Sequence, residues 1–518
     1  MLRNGSYDFE NQIGVISMKV CLLNDSFPPV IDGVVNVVEN YAQHLMLDHG
    51  AQVMVGTPGY PGTDYSIYPY PVIPYHSFDT AAITSGYRTG NPFSSNALEK
   101  MAAFAPDLIH THCPASATIA ARLLREGTSA PVIFTYHTKY DIDIMRVVKA
   151  RPLAKEGIRL MISNIEACDE VWTVSRGAGE NLRSLGFEGQ YHVMPNGVDF
   201  ERGRVIPEAV KEVTGGYDLP EGIPVYLYVG RMMTYKGLPL ILDALRILKD
   251  QGMDFRMIFV GKGPDKELLE DRAKTLGLFG DGIRGGKCLF VGPVYDRDRL
   301  RAWNTRADLF LFPSTFDTNG LVVREAAACG LASVLIKNSC AAEGVRDGHN
   351  GFLIGESAAE LAATLLKTGK NLSRLHEAGS HASDELYMSW QSSVKMAYER
   401  YQAVIDEKKR GVLPSKKKLP TDYLLGMTAR SMHRRARLYQ LGEEWFAGVK
   451  ESADGMMENV ENETEQLKEK IKDTFHSGIR HIHELMDEPE TGCENCKEDD
   501  SCSGNDSSVS EKSRNGDE

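Results

Sequence analysis

The stretch KVCLLNDSFPPVIDGVVNVVENYAQHL, residues 19–45, decides the fold. Its first residues, KVCLLND, form a continuous apolar run, which is typical of a strand buried on both faces. Gly33 then opens a segment whose apolar residues recur every three to four positions, the period of one helix face: Val34, Val37, Val38, Tyr41 and Leu45. A buried strand followed by an amphipathic helix is the repeating unit of a parallel α/β sheet.

The same alternation continues along the chain and indicates two sheets. A first series of strand-like runs ends near Asp199: AQVMVGTP, DLIHTHCP, PVIFTYHT, EVWTVS and YHVMPNG. After a polar stretch with Gly215, Gly216 and Pro220, a second series follows: VYLYVGR, FRMIFVGKGP, CLFVGPV, DLFLFPS, ASVLIKN and GFLI. We therefore predict an α/β protein with two doubly wound domains, residues 18–205 and residues 206–385.

Composition and charge exclude several classes of protein. The 518 residues are 42% hydrophobic and 25% charged, as in globular proteins of more than one domain. The formal net charge of −13 argues against a nucleic-acid partner, because an acidic surface repels phosphates. No run approaches the roughly 20 apolar residues that cross a bilayer, and residues 1–17 lack the apolar core of a secretory signal. We therefore expect a cytoplasmic protein.

The nine cysteines are too few for a disulfide framework. Three of them, Cys493, Cys496 and Cys502, lie in CENCKEDDSC, which has no fourth ligand at a standard zinc spacing. Exposed thiols are favoured there over a metal site. The other six lie in apolar or small-residue segments, where we expect reduced core residues: Cys21, Cys113, Cys168, Cys288, Cys329 and Cys340.

Both ends of the chain differ in composition from the two domains. Residues 1–17 are expected to be an N-terminal extension, residues 411–487 a basic and then amphipathic helical tail, and residues 488–518 an acidic disordered tail. Between Lys408 and Arg437, ten Lys and Arg residues stand against one Asp. Two interpretations of this surplus stay open, contact with an anionic lipid surface and a solvated linker.

The segment PSTFDTNGLVVREAAACG, residues 313–330, joins the end of a strand to a helix. Asp317 or Thr318 is expected to cap the helix, which closes at Gly330. Such a helix terminus attracts an anion, particularly a phosphate. The backbone N–H groups that would face the anion, because they lack intrahelical partners, belong to Asn319, Gly320, Leu321 and Val322.

Two carboxylates flank this terminus. Glu325 lies eight residues beyond Asp317, which is on the order of 12 Å along a helix. The two groups cannot act on one atom, but they suit opposite ends of an elongated ligand with a sugar, a diphosphate and a ribose in line. The alternative stays open that Asp317 is a simple cap and Glu325 an ordinary helical residue.

Two cations follow the first strand of the same domain. In VGRMMTYKGLP, residues 229–239, Arg231 and Lys236 stand at the carboxyl end of the strand, where open α/β sheets bind ligands. A phosphate about 4 Å from one cation gains roughly 4 kcal/mol at an effective dielectric of about 20, before desolvation. Singly, each could be an ordinary surface cation; together with residues 313–330 they predict a diphosphate site. They would neutralise a departing diphosphate without a metal ion.

The first domain offers two further candidates. Gly33 starts a helix, and its missing side chain would let a diphosphate approach closely. His137 ends the strand TYHT, where it is either a donor to a sugar hydroxyl or phosphate, or a satisfied core histidine.

No metal site is expected in this domain. His110 and His112 share one side of their strand, but no third ligand for zinc stands nearby. The sequence Asp141-Ile142-Asp143 resembles the acidic pairs that hold a divalent ion beside a diphosphate. With two cations available for that charge a metal is redundant, and we interpret this match as chance.

In their order along the chain, several segments resemble the family 4 glycosyltransferases of the GT-B fold: PPVIDGVVNVV, TYHTKYDID, VWTVSRGAGENL, VMPNGVDF, VGRMMTYKGLPLILDAL, FVGKGP and FPSTFDTNGLVVREAAACG. The resemblance covers about residues 18–405. It implies two Rossmann-like domains facing a cleft, and transfer of a sugar from a nucleotide donor with retention of configuration and without a metal or other cofactor. Residues 386–410 are similar to the family's final helix, which crosses back to the first domain.

The resemblance also implies roles for the candidate residues. Asp317 stands where the family usually has the first Glu of its E-x7-E element, so it would bind the donor sugar, and Glu325 would bind the ribose. The shorter Asp side chain leaves the identity of the sugar open. The remaining matches are the diphosphate-binding pair Arg231 and Lys236, the glycine loop at Gly33, and the histidine of the TYHT segment, His137.

The segment TYHTKYDID is particularly similar to bacterial transferases that add glucose to diacylglycerol, in which basic amphipathic helices dock on the membrane. Residues 139–159 interleave cations with apolar residues, which suits an interfacial helix or else a solvated helix face. The cations are Lys139, Arg146, Lys149, Arg151, Lys155 and Arg159.

These observations predict a hexosyltransferase that uses a UDP- or GDP-linked sugar and a membrane lipid such as diacylglycerol. We expect it at the inner face of the plasma membrane, in contact with anionic lipid. Two alternatives stay open: a nucleotide-sugar epimerase of the same fold, and a non-catalytic GT-B scaffold at the membrane.

Overall fold

The computed structural model describes residues 17–30, 32–80, 87–147, 150–280, 287–413 and 427. For residues 142, 143, 146 and 147 the description covers the backbone alone. All of these residues belong to one compact unit, Met1–Ala436. The predicted N-terminal extension before residue 17, most of the basic segment, the acidic tail and the three tail cysteines lie outside the described residues.

The first half of the chain builds a seven-stranded sheet in which every neighbouring pair of strands is parallel. Its elements, with a small antiparallel ribbon formed by β4 and β5, are β1 (Lys19–Leu23), α1 (Gly33–His49), β2 (Gln52–Pro58), β3 (Val72–Tyr75), β4 (Ser77–Asp79), β5 (Arg88–Gly90), α2 (Ser95–Ala103), β6 (Leu108–Thr111), α3 (Ser116–Thr128), β7 (Val132–Tyr136), α4 (Tyr140–Val147), α5 (Arg151–Glu166), β8 (Glu170–Thr173), α6 (Arg176–Ser184) and β9 (His192–Val193). The strand order is β3-β2-β1-β6-β7-β8-β9.

The second half builds a six-stranded parallel sheet. Its elements are α7 (Pro207–Thr214), β10 (Val225–Val229), α8 (Leu238–Asp250), β11 (Arg256–Val260), α9 (Lys266–Thr275), β12 (Cys288–Gly292), α10 (Arg297–Arg306), β13 (Leu309–Phe312), α11 (Leu321–Ala328), β14 (Ser333–Ile336), β15 (Phe352–Ile354), α12 (Ala358–Thr368) and α13 (Leu372–Glu385). A long last helix, α14 (Trp390–Lys409), follows. The strand order is β12-β11-β10-β13-β14-β15.

The predicted architecture of two doubly wound α/β domains is confirmed, and each predicted strand is present. Pattern reasoning missed β3 and the ribbon of β4 and β5, because these strands are short and partly exposed and so lack a continuous apolar run. Five of the six predicted core cysteines are buried, whereas Cys113 is only partly so.

The strand orders decide where a ligand can bind. In each sheet the connections reverse direction beside the first strand, between β1 and β6 and between β10 and β13. The loops that follow such strands diverge to opposite faces and leave a crevice at the carboxyl ends of the strands. The residues after β1, β6, β10 and β13 are therefore the ones placed to touch a ligand.

The last helix packs on the first domain, although it follows the second sheet in the chain. Trp390 and Tyr401 of α14 lie in one core cluster with α1 and with the strands of the first sheet. The Tyr401 ring stacks on Trp172 at 5.4 Å between centroids, and its hydroxyl lies 2.6 Å from Nδ1 of His110. The last helix therefore returns from the second domain to the first.

An ion pair between a partly exposed arginine and a buried carboxylate anchors this helix to the first domain. Glu170 of β8 is 7% exposed, and Nε of Arg400 on α14 donates to its Oε1 at 3.0 Å. The indole N–H of Trp172 donates to the same oxygen at 2.5 Å. A carboxylate at this depth needs its cation, because an unpaired buried charge is strongly destabilising.

Replacing Arg400 with Met keeps much of the apolar stem and removes the cation. We predict that the free energy of unfolding in urea falls by about 3 kcal/mol, since Glu170 is left as a buried charge. The matched control is Arg246→Met, which breaks the exposed pair with Asp250 on α8 and should cost less than about 1 kcal/mol. Equal losses in the two variants would contradict this assignment.

Candidate active site

A cleft of about 1390 Å³ is lined by residues of both domains. All of the predicted site residues except Glu325 lie in its wall. Those of the second domain come from the loops after β10 and β13, and those of the first domain from the segment after β1 and the end of β7. The two crevices predicted by the strand orders therefore form one cavity.

The loop after β10 brings two cations to this cleft. Gly237 has φ +78°, and a Cβ on it would lie 2.2 Å from the carbonyl oxygen of Pro313, so only glycine allows this loop to approach the end of β13. Lys236 Nζ then lies 2.6 Å from Oδ1 of Asp317. The guanidinium of Arg231 has no hydrogen-bonded or ion-paired partner among the described residues. We call this part of the second domain the corner. It contains one ion-paired cation, Lys236, and one cation without an ion pair among the described residues, Arg231.

The helix after β13 begins later than predicted. Its N-cap is Gly320, with φ +60°, and α11 starts at Leu321. The prediction that Asp317 or Thr318 caps this helix is wrong, because each side chain is engaged elsewhere. Asp317 pairs with Lys236 and accepts a hydrogen bond from Ser314 at 2.6 Å, and the Thr318 hydroxyl donates to a carbonyl of the first domain.

The N–H groups at this helix terminus face the cleft without a side-chain cap. Val323 donates to the carbonyl of Gly320 at 2.8 Å, whereas no backbone carbonyl among the described residues accepts from Leu321 or Val322. Asn319 adds a second donor, since its side chain is 6% exposed and its Nδ2 is buried without a hydrogen-bond partner in the described part of the chain. Two of the four predicted N–H donors, those of Leu321 and Val322, therefore lie at the cleft, together with the Asn319 side chain, which was not predicted as a donor.

Glu325 lies apart from this group. Its carboxylate forms an ion pair with Arg297 at 2.6 Å, and the same guanidinium reaches Asp199 at 3.4 Å. Burial raises the pKa of Glu325, and Arg297 opposes that shift. The expected helical spacing of about 12 Å from Asp317 does not apply, because α11 begins only at Leu321. Asp317 lines the cleft in this structure, whereas Glu325 does not.

His137 lines the cleft on the side of the first domain. It is 7% exposed, and its Nε2 lies 3.0 Å from Nδ1 of His112. Burial lowers the pKa of His137 to about 3, so the ring is neutral at physiological pH and can act only through hydrogen bonds. Within the described residues no group of three or more His, Cys, Asp or Glu side chains is arranged to hold a metal ion.

Gly33 lies in the cleft wall, and a Cβ added there would meet no atom within 4 Å. The neighbouring Asp32 nevertheless occupies the start of α1, since its Oδ1 accepts from the N–H groups of Val34 and Val35, both at 2.8 Å. The close approach of a diphosphate at Gly33 stays a prediction, although Asp32 already accepts hydrogen bonds from the N–H groups of Val34 and Val35. A phosphate at Gly33 would face a carboxylate that already holds the helix N–H groups.

Asp25 is a cleft residue that the sequence analysis missed. It lies two residues after the end of β1, at the point where the strand order reverses. Its Oδ1 accepts from the N–H of Ala117 at 2.7 Å, and burial raises the pKa of its carboxyl to about 6. Its place at the carboxyl end of the first strand was the available signal, because charged residues there face the crevice.

Apolar side chains line much of the first-domain wall around Asp25. They come from the segment before α2 and from α3, α4 and α5. We refer to this part of the cleft as the apolar arm, which consists of Phe93, Ile119, Tyr140, Ile144, Leu160 and Met161.

The two domains touch beside the cleft. The carboxylate of Glu343, after β14, accepts hydrogen bonds from the N–H groups of Arg176 and Gly177 at 2.7 and 3.2 Å. These N–H groups begin helix α6 of the first domain, so the second domain supplies a cap to a helix of the first.

Further contacts join the loop of Asp317 to the end of β7. Lys139 Nζ donates to the carbonyl of Thr315 at 2.9 Å, and the Thr318 hydroxyl donates to the carbonyl of His137. The distance between the two walls of the site therefore depends on domain contact.

Replacing Glu343 with Ala removes its hydrogen bonds across the interface. We predict a larger radius of gyration by small-angle X-ray scattering, because the closed arrangement loses stability relative to an open one. The matched control is Glu360→Ala, whose carboxylate accepts from the N–H of Gly355 at 2.6 Å within the second domain. If both variants scatter like the unchanged protein, the contact does not hold the domains together.

Family models match both domains. Residues 31–202 match the model of Glycosyltransferase Family 4, and residues 212–382 match that of Glycosyl transferases group 1. Among relatives, a sulfoquinovosyl transferase of Arabidopsis thaliana is 27% identical over 391 residues, which is 72% of this chain and 71% of the relative. An alpha-monoglucosyldiacylglycerol synthase of Streptococcus pneumoniae is 23% identical over 321 residues, 60% of this chain and 70% of the relative.

Solved structures share the fold. HepE from Anabaena in complex with UDP aligns with a TM-score of 0.58 at 18% identity, over 74% of this chain and all of that one. Sucrose-phosphate synthase from Thermosynechococcus elongatus aligns with a TM-score of 0.59 at 20% identity, over 75% of this chain and 99% of that one. With family models on both domains and this fold, the chain belongs to the family 4 glycosyltransferases of the GT-B fold.

Proposed function

We propose that this glycosyltransferase moves a hexose from a UDP- or GDP-linked sugar to a hydroxyl of a membrane lipid, with retention of configuration and without a metal ion. The observation that carries the donor half is the corner of the second domain, where two cations meet unpartnered donors. These are the side chains of Arg231 and Lys236, the amide Nδ2 of Asn319, and the N–H groups of Leu321 and Val322.

The diphosphate of the donor would rest in this corner. The guanidinium of Arg231 could bind a phosphate oxygen without breaking an ion pair among the described residues. Lys236 would exchange its bond to Asp317 for a bond to a phosphate oxygen. Asp317, so released, is placed to accept hydrogen bonds from hydroxyls of the donor sugar. Donors set in place before the reaction stabilise the charge of the departing diphosphate with no reorganisation cost, which is the contribution a divalent ion would otherwise make.

The first domain would complete the site. The neutral ring of His137 binds a hydroxyl or phosphate oxygen as a hydrogen-bond donor. Glu325 would bind the ribose only after leaving Arg297, which pairs with it at 2.6 Å. The acceptor oxygen attacks the anomeric carbon on the face from which the diphosphate departs, one C–O bond forms as the other breaks, and the hydroxyl proton passes to the leaving phosphate oxygen.

Two features support a lipid acceptor. The apolar arm offers a surface for acyl chains next to the reacting groups. On α5, Leu153 and Leu160 are 65% and 60% exposed, and the cations Arg151, Lys155 and Arg159 lie exposed on the same helix. An exposed apolar pair among cations suits the surface of an anionic membrane. None of the helices in the described ranges is long and apolar enough to cross a bilayer.

One relative is named for a lipid product, the alpha-monoglucosyldiacylglycerol synthase, and this adds to the support. The direct test supplies UDP- and GDP-hexoses with and without lipid vesicles and follows the fate of the sugar. A lipid-linked hexose supports the proposal. An isomerised donor sugar formed without acceptor would favour an epimerase instead, and no heat stabilisation by UDP or GDP would favour a scaffold.

Replacing Lys236 with Ala should lower kcat at least about 100-fold, the usual cost of removing one donor that stabilises transition-state charge. The unfolding midpoint without ligand should stay close to that of the unchanged protein, since the side chain lies in the cleft wall. The control Lys274→Ala removes an exposed cation that pairs with Asp271 on α9 and should leave turnover unchanged. Near-normal turnover of the Lys236 variant would overturn the assigned role.

Replacing Leu153 with Asp should weaken binding to vesicles that contain phosphatidylglycerol, because the change puts a negative charge into the apolar face of α5. We expect the bound fraction in a sedimentation assay to fall several-fold. Leu268→Asp is the matched control, since Leu268 of α9 is 62% exposed on the second domain. If the Leu153 variant sediments with vesicles like the control, α5 is not the membrane-binding surface.

A further inference from the structure

The three aspartates in the cleft wall differ in how fully they are hydrogen-bonded. Asp32 accepts two N–H bonds from α1 and hydroxyl bonds from Ser26 and Tyr87, both at 3.0 Å. Asp317 is held by Lys236 and by Ser314. An ionised carboxylate can accept about four hydrogen bonds, so Asp32 is saturated and Asp317 has a charged partner.

Asp25 is less fully satisfied. Its Oδ1 accepts from the N–H of Ala117 at 2.7 Å, and the Ser116 hydroxyl and the N–H of Ala115 lower its pKa from the same helix start. No cation pairs with Asp25 among the described residues. It therefore keeps acceptor capacity, and it lies in the wall of the cleft.

The residues around Asp25 determine what can bind to the remaining lone pairs of its carboxylate. Cys113 and Tyr140 line the cleft wall with Asp25, beside the apolar arm. Burial raises the pKa of the Cys113 thiol and that of the Tyr140 phenol, so neither group is charged. In the empty cleft water can bind the open lone pairs. An acceptor seated in the arm displaces that water, and a carboxylate oxygen that is buried by the acceptor without a new donor costs free energy. Any good acceptor must therefore donate a hydrogen bond to Asp25.

The attacking hydroxyl cannot be that donor. Its single proton passes to the leaving phosphate oxygen in the transfer step, so a hydrogen bond to Asp25 would hold the proton away from its destination. A second hydroxyl on the acceptor would satisfy Asp25 and would also fix the orientation of the first.

We propose that Asp25 is a specificity-determining residue that accepts a hydrogen bond from a second hydroxyl of the acceptor, so that the enzyme selects lipids with a polyol headgroup. This inference rests on the proposed lipid glycosyltransferase function. Suitable acceptors carry a hydroxyl beside the one that is glycosylated, as a glycosyl headgroup or a monoacylated glycerol does. Such selectivity narrows the acceptor predicted from the sequence, because 1,2-diacylglycerol has a single hydroxyl and brings no second donor to Asp25.

The experiment compares two acceptors of similar chain length in vesicles, 1-monoacylglycerol and 1,2-diacylglycerol, with the full chain and the best UDP- or GDP-hexose. We expect kcat/KM to favour the diol at least about 10-fold, which corresponds to about 1.4 kcal/mol for one unsatisfied buried group. Asp25→Asn keeps an oxygen for the N–H of Ala117 but loses the negative charge. This variant should lose most of the preference for the diol.

The matched control is Asp107→Asn. Asp107 also accepts a backbone N–H, that of Lys19 at 2.8 Å, but at the opposite end of β1. It should keep the full preference for the diol. Equal use of both lipids by the unchanged protein, or an undiminished preference in the Asp25 variant, would overturn the inference. If the Asp25 variant does not fold, the acceptor preference of the unchanged protein still decides. Hexose transfer to neither lipid would count against the proposed function itself.

Discussion

The diphosphate of a sugar donor carries concentrated negative charge, and we propose that the corner of the second domain around Arg231 and Lys236 receives it. Arg231 is a cation without an anionic partner in the described part of the chain, and Lys236 is restrained by Asp317 at 2.6 Å. The helix terminus at Leu321 and Val322 adds N–H groups with no carbonyl to accept them among the described residues. This corner requires the contact between Gly237 and Pro313, which brings the loops after β10 and β13 together.

In the proposed reaction the first domain binds the acceptor. Its sheet has the same reversal of strand order as the second, so Asp25 after β1 faces the cleft as Arg231 does after β10. Contacts such as those of Glu343 and Thr318 hold the two walls together. The helix α14 then returns to the first domain and anchors there through Arg400 and Glu170. The geometry of the site therefore depends on the contacts between the two domains.

Much of this arrangement follows from local sequence. Continuous apolar runs predict buried parallel strands, and cations after β10 belong to the ligand crevice wherever such a sheet forms. What local sequence does not determine is which partner a side chain takes across the fold. Asp317 was expected as a helix cap but pairs with Lys236, which is 81 positions away in the chain. Glu325 pairs with Arg297, and Asp25 reaches the start of α3, contacts that only the folded chain brings together.

The most direct measurement is a crystal structure of the full chain with an unreactive analogue of a UDP- or GDP-hexose. The account predicts phosphate oxygens within hydrogen-bond distance of Arg231, Lys236 and the N–H groups of Leu321 and Val322, with Asp317 turned from Lys236 toward the sugar. A nucleotide sugar bound in the cleft with its diphosphate away from all of these groups would contradict the account.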